Sequence, residues 1–161
     1  MERENRDQPQ NSQYLTFDID DERYAVDVTQ VEVVLEMATI TRVPKSPEHI
    51  RGVINHRGSV IPVVDLRSIF GVGPGDAAVQ PSIVVTQVDF EGESLTAGIL
   101  ADAVHEVVDL DRDSTEAAPP YGPRSDASAF VRGIGKRDGR FLILLDLERA
   151  LSATAAEQEI T

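Results

Sequence analysis

At 161 residues, with 41% apolar residues and a formal net charge of −13, the chain is long enough for one domain of two small lobes, and too acidic to favour nucleic acid or anionic lipid. It has no Cys, which removes disulfides, thiol catalysis and cysteine-bound metal; with no Trp and only 5% aromatics, its core is expected from Val, Ile, Leu and Ala, which favour sheet. Only Lys45 and Lys136 are lysines, and abundant carboxylates with so few lysines fit a protein working in concentrated salt.

Met1 to Gln13 is polar and is expected as a disordered tail. With no apolar leader and no long apolar span, the chain reads as soluble and cytosolic. Tyr14 to Ile19 alternates as a strand, Asp20 to Arg23 turns, and Tyr24 to Val28 returns as a hairpin. Val28, Val31, Val34 and Leu35 keep helical spacing, with Asp27 or Thr29 available as a cap, which predicts a short helix. Thr39 to Val43 reads as a strand stopped by Pro44, and Ser46-Pro47-Glu48 as a helix start ending near Gly52. Val53 to Asn55 and Val60 to Val64 bracket His56-Arg57-Gly58-Ser59, a hairpin tip; Pro62, lacking a donor, marks an edge or bulge. Asp65 caps a helical turn through Phe70. The glycine-rich run from Gly71 to Asp76 is a linker, since no helix with a phosphate-binding Lys or Ser/Thr follows.

The second half repeats this plan. Ser82 to Val88 and Ser94 to Leu100 form a hairpin, Val104 to Leu110 is a strand, and Thr115 to Ser128 is an irregular loop. Phe141 to Leu145 is an apolar strand, and Asp146 starts a closing helix through Leu151. Gly52 and Gly133, Gly58 and Gly139, Asp65 and Asp146, and Leu66 and Leu147 are each 81 positions apart. Such spacing marks an internal repeat, and two small sheets sharing one apolar interface follow from it, because neither alone buries enough surface.

Catalytic and metal chemistry find no foothold. His49, His56 and His105 have no metal-ligand spacing, and Asp20-Asp21 and Asp109-Asp111 fall in turns. Ser59 and Ser82 lack a nucleophile elbow, and Asp109, Asp111 and Asp113 lack the Gly and distal Glu of a calcium loop. Binding remains. Val31, Val34 and Leu35 form an apolar stripe, and Arg57 stands at a hairpin tip, solvated, paired with an acid across the lobes, or reaching a partner.

Tyr14 to Phe17, Tyr24 to Val26, Ile40 to Pro47, Ile50 to Gly58 and Ile61 to Arg67, then Gly98 to Val104, Gly133 to Gly135 and Leu142 to Leu147, resemble the signature of the CheW chemotaxis coupling proteins. The run Gly-Val-Ile-Asn-x-Arg-Gly followed by Pro-Val-Val-Asp-Leu-Arg is its most specific part, and the resemblance spans about Tyr14 to Leu151. It implies a mainly β fold of two SH3-like five-stranded β-barrels around a shared hydrophobic core, with short helices. The lobes would be approximately residues 14–75 and 82–151, with a tail over 152–161. It implies a non-catalytic adaptor without cofactor or metal, which bridges chemoreceptor cytoplasmic tips to the regulatory domain of the histidine kinase CheA in membrane-associated arrays, without inserting in the membrane. Carried over by position, Val31, Val34 and Arg57 line or support the receptor side. Gly52 and Gly133 shape strands near the lobe interface and the kinase-binding surface. Many members carry Val-x-Glu-Val or Val-x-Glu-Ile at the first short helix; here Val33 holds the Glu position and Glu32 comes one residue earlier, a turn of about 100° on a helix. A regulatory module of another kinase pathway, or an orphan β-domain binding a small ligand between its lobes, are the competing readings.

Overall fold

The computed structural model describes residues 11–36, 38–71, 80–111, 115–116 and 130–152. Its strands are β1 (Asn11–Ile19), β2 (Glu22–Asp27), β3 (Val31–Glu36), β4 (Ile50–His56), β5 (Ser59–Val64), β6 (Ser82–Phe90), β7 (Glu93–Ala101), β8 (Ala103–Asp111), β9 (Thr115–Glu116), β10 (Val131–Arg137) and β11 (Arg140–Leu145). The helices are α1 (Leu66–Ile69), capped by Asp65, and α2 over residues 147–152. Two curled sheets result, in the orders β8-β1-β2-β11-β10-β9 and β3-β6-β7-β5-β4, so the fold is mainly β as expected.

The repeat is exact in register. β4 pairs β5 with Gly52 opposite Val63 and a bulge beside it, and β10 pairs β11 with Gly133 opposite Leu144 and the same bulge. β5 then runs parallel to β7, and β11 parallel to β2, the two ladders sharing the equivalent positions Val63 and Leu144. Asp65 accepts from the Arg67 amide and Asp146 from the Arg149 amide, so both repeats enter a helix through a carboxylate cap.

The lobes, however, are not the contiguous segments 14–75 and 82–151. The β1–β2 hairpin pairs with β8 and β11 of the second repeat, while β6–β7 pairs with β3 and β5 of the first. Each lobe therefore combines a hairpin of one repeat with strands of the other: β1–β2 with β8, β9, β10 and β11, and β6–β7 with β3, β4 and β5. Both repeats carry the same alternation, so the pattern fixes which strands exist but leaves open which copy each strand joins.

The core follows from this exchange. The largest buried cluster takes Phe17, Tyr24 and Val26 from one sheet and Val64, Val84 and Ile99 from the other, and so is shared between lobes. Smaller clusters, around Leu142 and Leu144 in one lobe and Val63 and Val85 in the other, fill each sheet's own concavity. Burying each such aliphatic side chain contributes about 1.5–3 kcal/mol.

Several local expectations are corrected. The helix over Val28 to Leu35 is a 3-10 turn, Val28–Gln30, followed by strand β3, because β-branched Val31, Val33 and Val34 favour an extended chain beside β6. Thr39 to Val43 contributes one bridge, Thr41 to Val53, and the expected helix over Ser46 to Gly52 is a turn at Glu48 and His49 that leads into β4 at Ile50. Asn11 to Gln13 extend β1 against β8 instead of joining a tail. Within the expected irregular loop, Thr115–Glu116 pairs with β10 as a sixth strand in that lobe; residues 117–129, like the linker at 72–79, lie outside the described residues. Pro62 fits its place, since the ladder to β7 begins only at Val63.

Candidate functional site

The surface carrying the residues singled out above is built on the five-stranded sheet. Its two edge strands are β3 and β4, and the sheet curls until Glu32 Oε2 on β3 lies 3.6 Å from His56 Nε2 on β4. That approach sets Val31 and Glu32 beside the β4–β5 tip. A strand alternates its faces, so Val31 and Val34 should point apart. The bulge between Val31 and Val33 restores them to one side, where both are half-buried against the shared core. They therefore support this surface more than they line it.

Arg57 crowns the tip. Its φ of 54° and the 84° of Gly58 give the left-handed pair of a tight hairpin turn, and Asn55 Oδ1 accepts the Gly58 amide at 3.1 Å. The Arg57 side chain is exposed and makes no hydrogen bond or ion pair among the described residues. The structure thus brings Val31 and Arg57 to one end of the lobe, with Val34 further along β3.

Gly52 sits at the other end of β4, about 13 Å from His56 at strand rise. A Cβ there would stand 2.3 Å from the Thr41 carbonyl oxygen, so glycine lets the preceding loop lie on the strand. Beside it opens a concavity of about 440 Å³, with Val43, Pro44 and Ile50 among its apolar lining and Arg42, Lys45 and Arg51 among its polar lining. Arg51 is held by Asp65 at 2.7 Å, and Val43 is exposed. Gly133 is buried at the matching bulge of the other lobe. The two glycines do not meet; they shape equivalent strands.

Two polar clusters escaped sequence reasoning. Arg67 of α1, almost fully buried, pairs with Asp102 at the β7–β8 turn and lies 3.7 Å from Asp20 at the β1–β2 turn, tying the lobes together. Asp102 Oδ2 also accepts the Asp20 amide at 2.7 Å. The second joins Asp18, Arg23 and His105: Arg23 Nε donates to Asp18 at 2.9 Å, and His105 Nε2 lies 2.8 Å from the other carboxylate oxygen. Burial pushes the Asp18 carboxyl up, but hydrogen bonds and charge from Arg23 and His105 outweigh it and hold the group below its ordinary value. Tyr24, stacked between Phe17 and Phe70, has its phenol pushed up by burial, with Glu22 and Asp20 adding to the effect. No spacing rule flagged either cluster: Asp18 and Arg23 face each other across the β1–β2 hairpin, but only the fold brings His105 to them, and Asp20 and Asp102 to Arg67.

Among the described residues no three His, Asp or Glu side chains are grouped to hold a metal ion, and no helix is long and apolar enough to cross a membrane. The geometry offers a concavity of mixed apolar and charged lining at one end of a lobe and, among the described residues, an unpaired cation at the other.

Comparison with known proteins agrees. The CheW-like domain model matches residues 13–155. The chemotaxis protein CheW of Thermotoga maritima is 33% identical over 146 residues, 91% of this chain and 91% of that protein. The chemotaxis protein CheW of Klebsiella aerogenes is 30% identical, covering 88% of this chain and 82% of that one. The crystal structure of the scaffolding protein TtCheW from Thermoanaerobacter tengcongensis superposes with a TM-score of 0.74 at 36% identity, over 85% of this chain and 90% of that chain.

Proposed function

The chain belongs to the CheW-like domain family, and from that footing we propose that it is a non-catalytic adaptor coupling chemoreceptor cytoplasmic tips to the regulatory domain of the kinase CheA. The observation that carries the receptor side is the free Arg57 at the β4–β5 tip, next to the Val31–Glu32 bulge. A helical receptor tip packing there gains an unspent guanidinium and the lower edge of an apolar core. The kinase side is the opposite end of the same lobe, where Gly52 lets the loop close on β4 and the concavity presents the exposed Val43 above the buried Ile50. Gly133 shapes the equivalent end of the second lobe. One partner at each end allows both to be held at once, which is what an adaptor must do. The adaptor is recruited to membrane-associated arrays through these contacts alone.

The acidic surface suits a saline cell: at a net charge of −13, salt removes self-repulsion while leaving apolar contacts intact. Added KCl should raise the melting temperature, and a flat response would count against that setting.

Co-sedimentation with receptor-tip assemblies tests the reading. Arg57→Glu should lower receptor binding with the melting curve unchanged. Unaltered binding at an unaltered melting temperature removes Arg57 from the site.

A further inference from the structure

Phe141, at the start of β11, is 63% exposed, the most exposed aromatic side chain among the described residues. Across the hairpin it pairs with Lys136, whose Nζ stands 6.0 Å from the ring centroid. Arg137 and Arg140 complete the tip; Arg137 Nη1 donates to the Asp109 carbonyl at 2.9 Å, which holds it in place, and Arg140 is exposed. Residues 136–140 thus place three cations around one carboxylate, Asp138, in a chain whose net charge is −13.

The repeat shows that this is particular to one lobe. Val60 occupies the position of Phe141 in the other lobe and is 69% exposed, but Asn55 and Ser59 stand where Lys136 and Arg140 do. The apolar projection is common to both tips, and the cationic collar is not. It also lies in the lobe opposite the Arg57 tip and away from the concavity beside Gly52.

We propose that the β10–β11 tip is a docking site for an acidic segment of a partner protein, with an apolar side chain of that segment covering the Phe141 ring. Charge complementarity selects the occupant. Lys136 and Arg140 attract carboxylates at close range, and Phe141 supplies apolar area that a purely ionic contact would leave wet. A nucleic acid, anionic along its whole length, meets the repulsion of the acidic remainder of the chain.

The test is fluorescence anisotropy of the full chain with a labelled glutamate-rich peptide carrying a central Leu-Leu pair. The same peptide with Lys for Glu, and an oligothymidylate of matched charge, serve as comparisons. Expected are saturable binding of the glutamate peptide alone, and weakening by roughly ten-fold or more in Phe141→Ser and in Lys136→Glu with Arg140→Glu. Arg57→Glu should bind as the parent does. If Phe141→Ser lowers the melting temperature, the charge-reversal pair carries the comparison. No saturable binding, equal binding by the variants, or stronger binding of the oligothymidylate overturns the proposal.

Discussion

Glu32 and His56 lie 3.6 Å apart although they belong to the two opposite edge strands of one five-stranded sheet. The matching closure in the other lobe runs from Arg137 to the Asp109 carbonyl at 2.9 Å, at the repeat position of His56. Curling brings both pairs together; the backbone ladders and the cores beneath them supply the stability. A partly exposed pair at this distance contributes little. Glu32→Gln should change unfolding free energy by no more than about 0.5 kcal/mol in urea titration, and a loss of several kcal/mol would mean that the pair itself holds the lobe shut.

Gly52 carries far more. A Cβ would meet the Thr41 carbonyl at 2.3 Å and Ile40 Cγ2 at 2.8 Å, and the first of these is backbone that cannot rotate away. Gly52→Ala is expected to cost about 3 kcal/mol, by forcing the loop off β4. At Gly58 nothing lies within 4 Å and only the positive φ of 84° resists, so Gly58→Ala should cost about 1 kcal/mol. Both glycines have positive φ, 159° at Gly52 and 84° at Gly58, so the excess cost at Gly52 over Gly58 in chemical denaturation reports the close approach, and equal costs would refute the clash.

Arg67 is the buried member of the inter-lobe cluster, and Asp102 keeps 30% of its side-chain surface exposed. Removing the carboxylate takes from the buried guanidinium its nearest charge partner and leaves Asp20 at 3.7 Å. Removing the guanidinium leaves a carboxylate that water can reach. Asp102→Ala should therefore destabilise by about 3 kcal/mol and Arg67→Met by less; the reverse order would show that Asp20 and the other contacts of Arg67 hold the guanidinium without Asp102.

Because Asp18 titrates below its ordinary value in the folded chain, its contribution is present at pH above about 4 and is lost as pH falls through the lowered folded value. Asp18→Asn should melt lower than the parent at pH 6, and the gap should shrink on acidification below about pH 4. A gap that stays constant from pH 6 downward would show that the carboxylate charge is not what stabilises the cluster.

Much of the fold was legible because the repeat is written in residues with strong local meaning. Gly52 and Gly133, Gly58 and Gly139, and Asp65 and Asp146 each mark a bulge, a turn or a cap that local chemistry demands. The exchange of hairpins between lobes was not legible, since β1 and β6 each carry a run of four buried residues, Tyr14 to Phe17 and Ile83 to Thr86, that suits a partner strand of either repeat. Val31 and Val34 show the limit of periodicity: a spacing of three suggests a helix, yet one bulge lets a strand satisfy it. Phe141 read as one more core residue of an apolar strand, and its exposure follows from its place at the tip opposite Lys136. Arg57 could be placed from sequence because a hairpin tip is local. The Arg67 cluster could not, and of the Asp18 cluster only the Asp18–Arg23 pair is local, because Asp102 and His105 reach their partners only through long-range packing.

The central claim is that this chain holds kinase and receptor at once. Calorimetric titration with the CheA regulatory domain in molar KCl, followed by receptor tips added to the preformed complex, tests it most directly. The account predicts saturable one-to-one binding of the kinase domain with a negative heat-capacity change, and then binding of the receptor tip without displacement of the kinase. Folded protein that binds neither partner, or a receptor tip that expels the kinase domain, would contradict it.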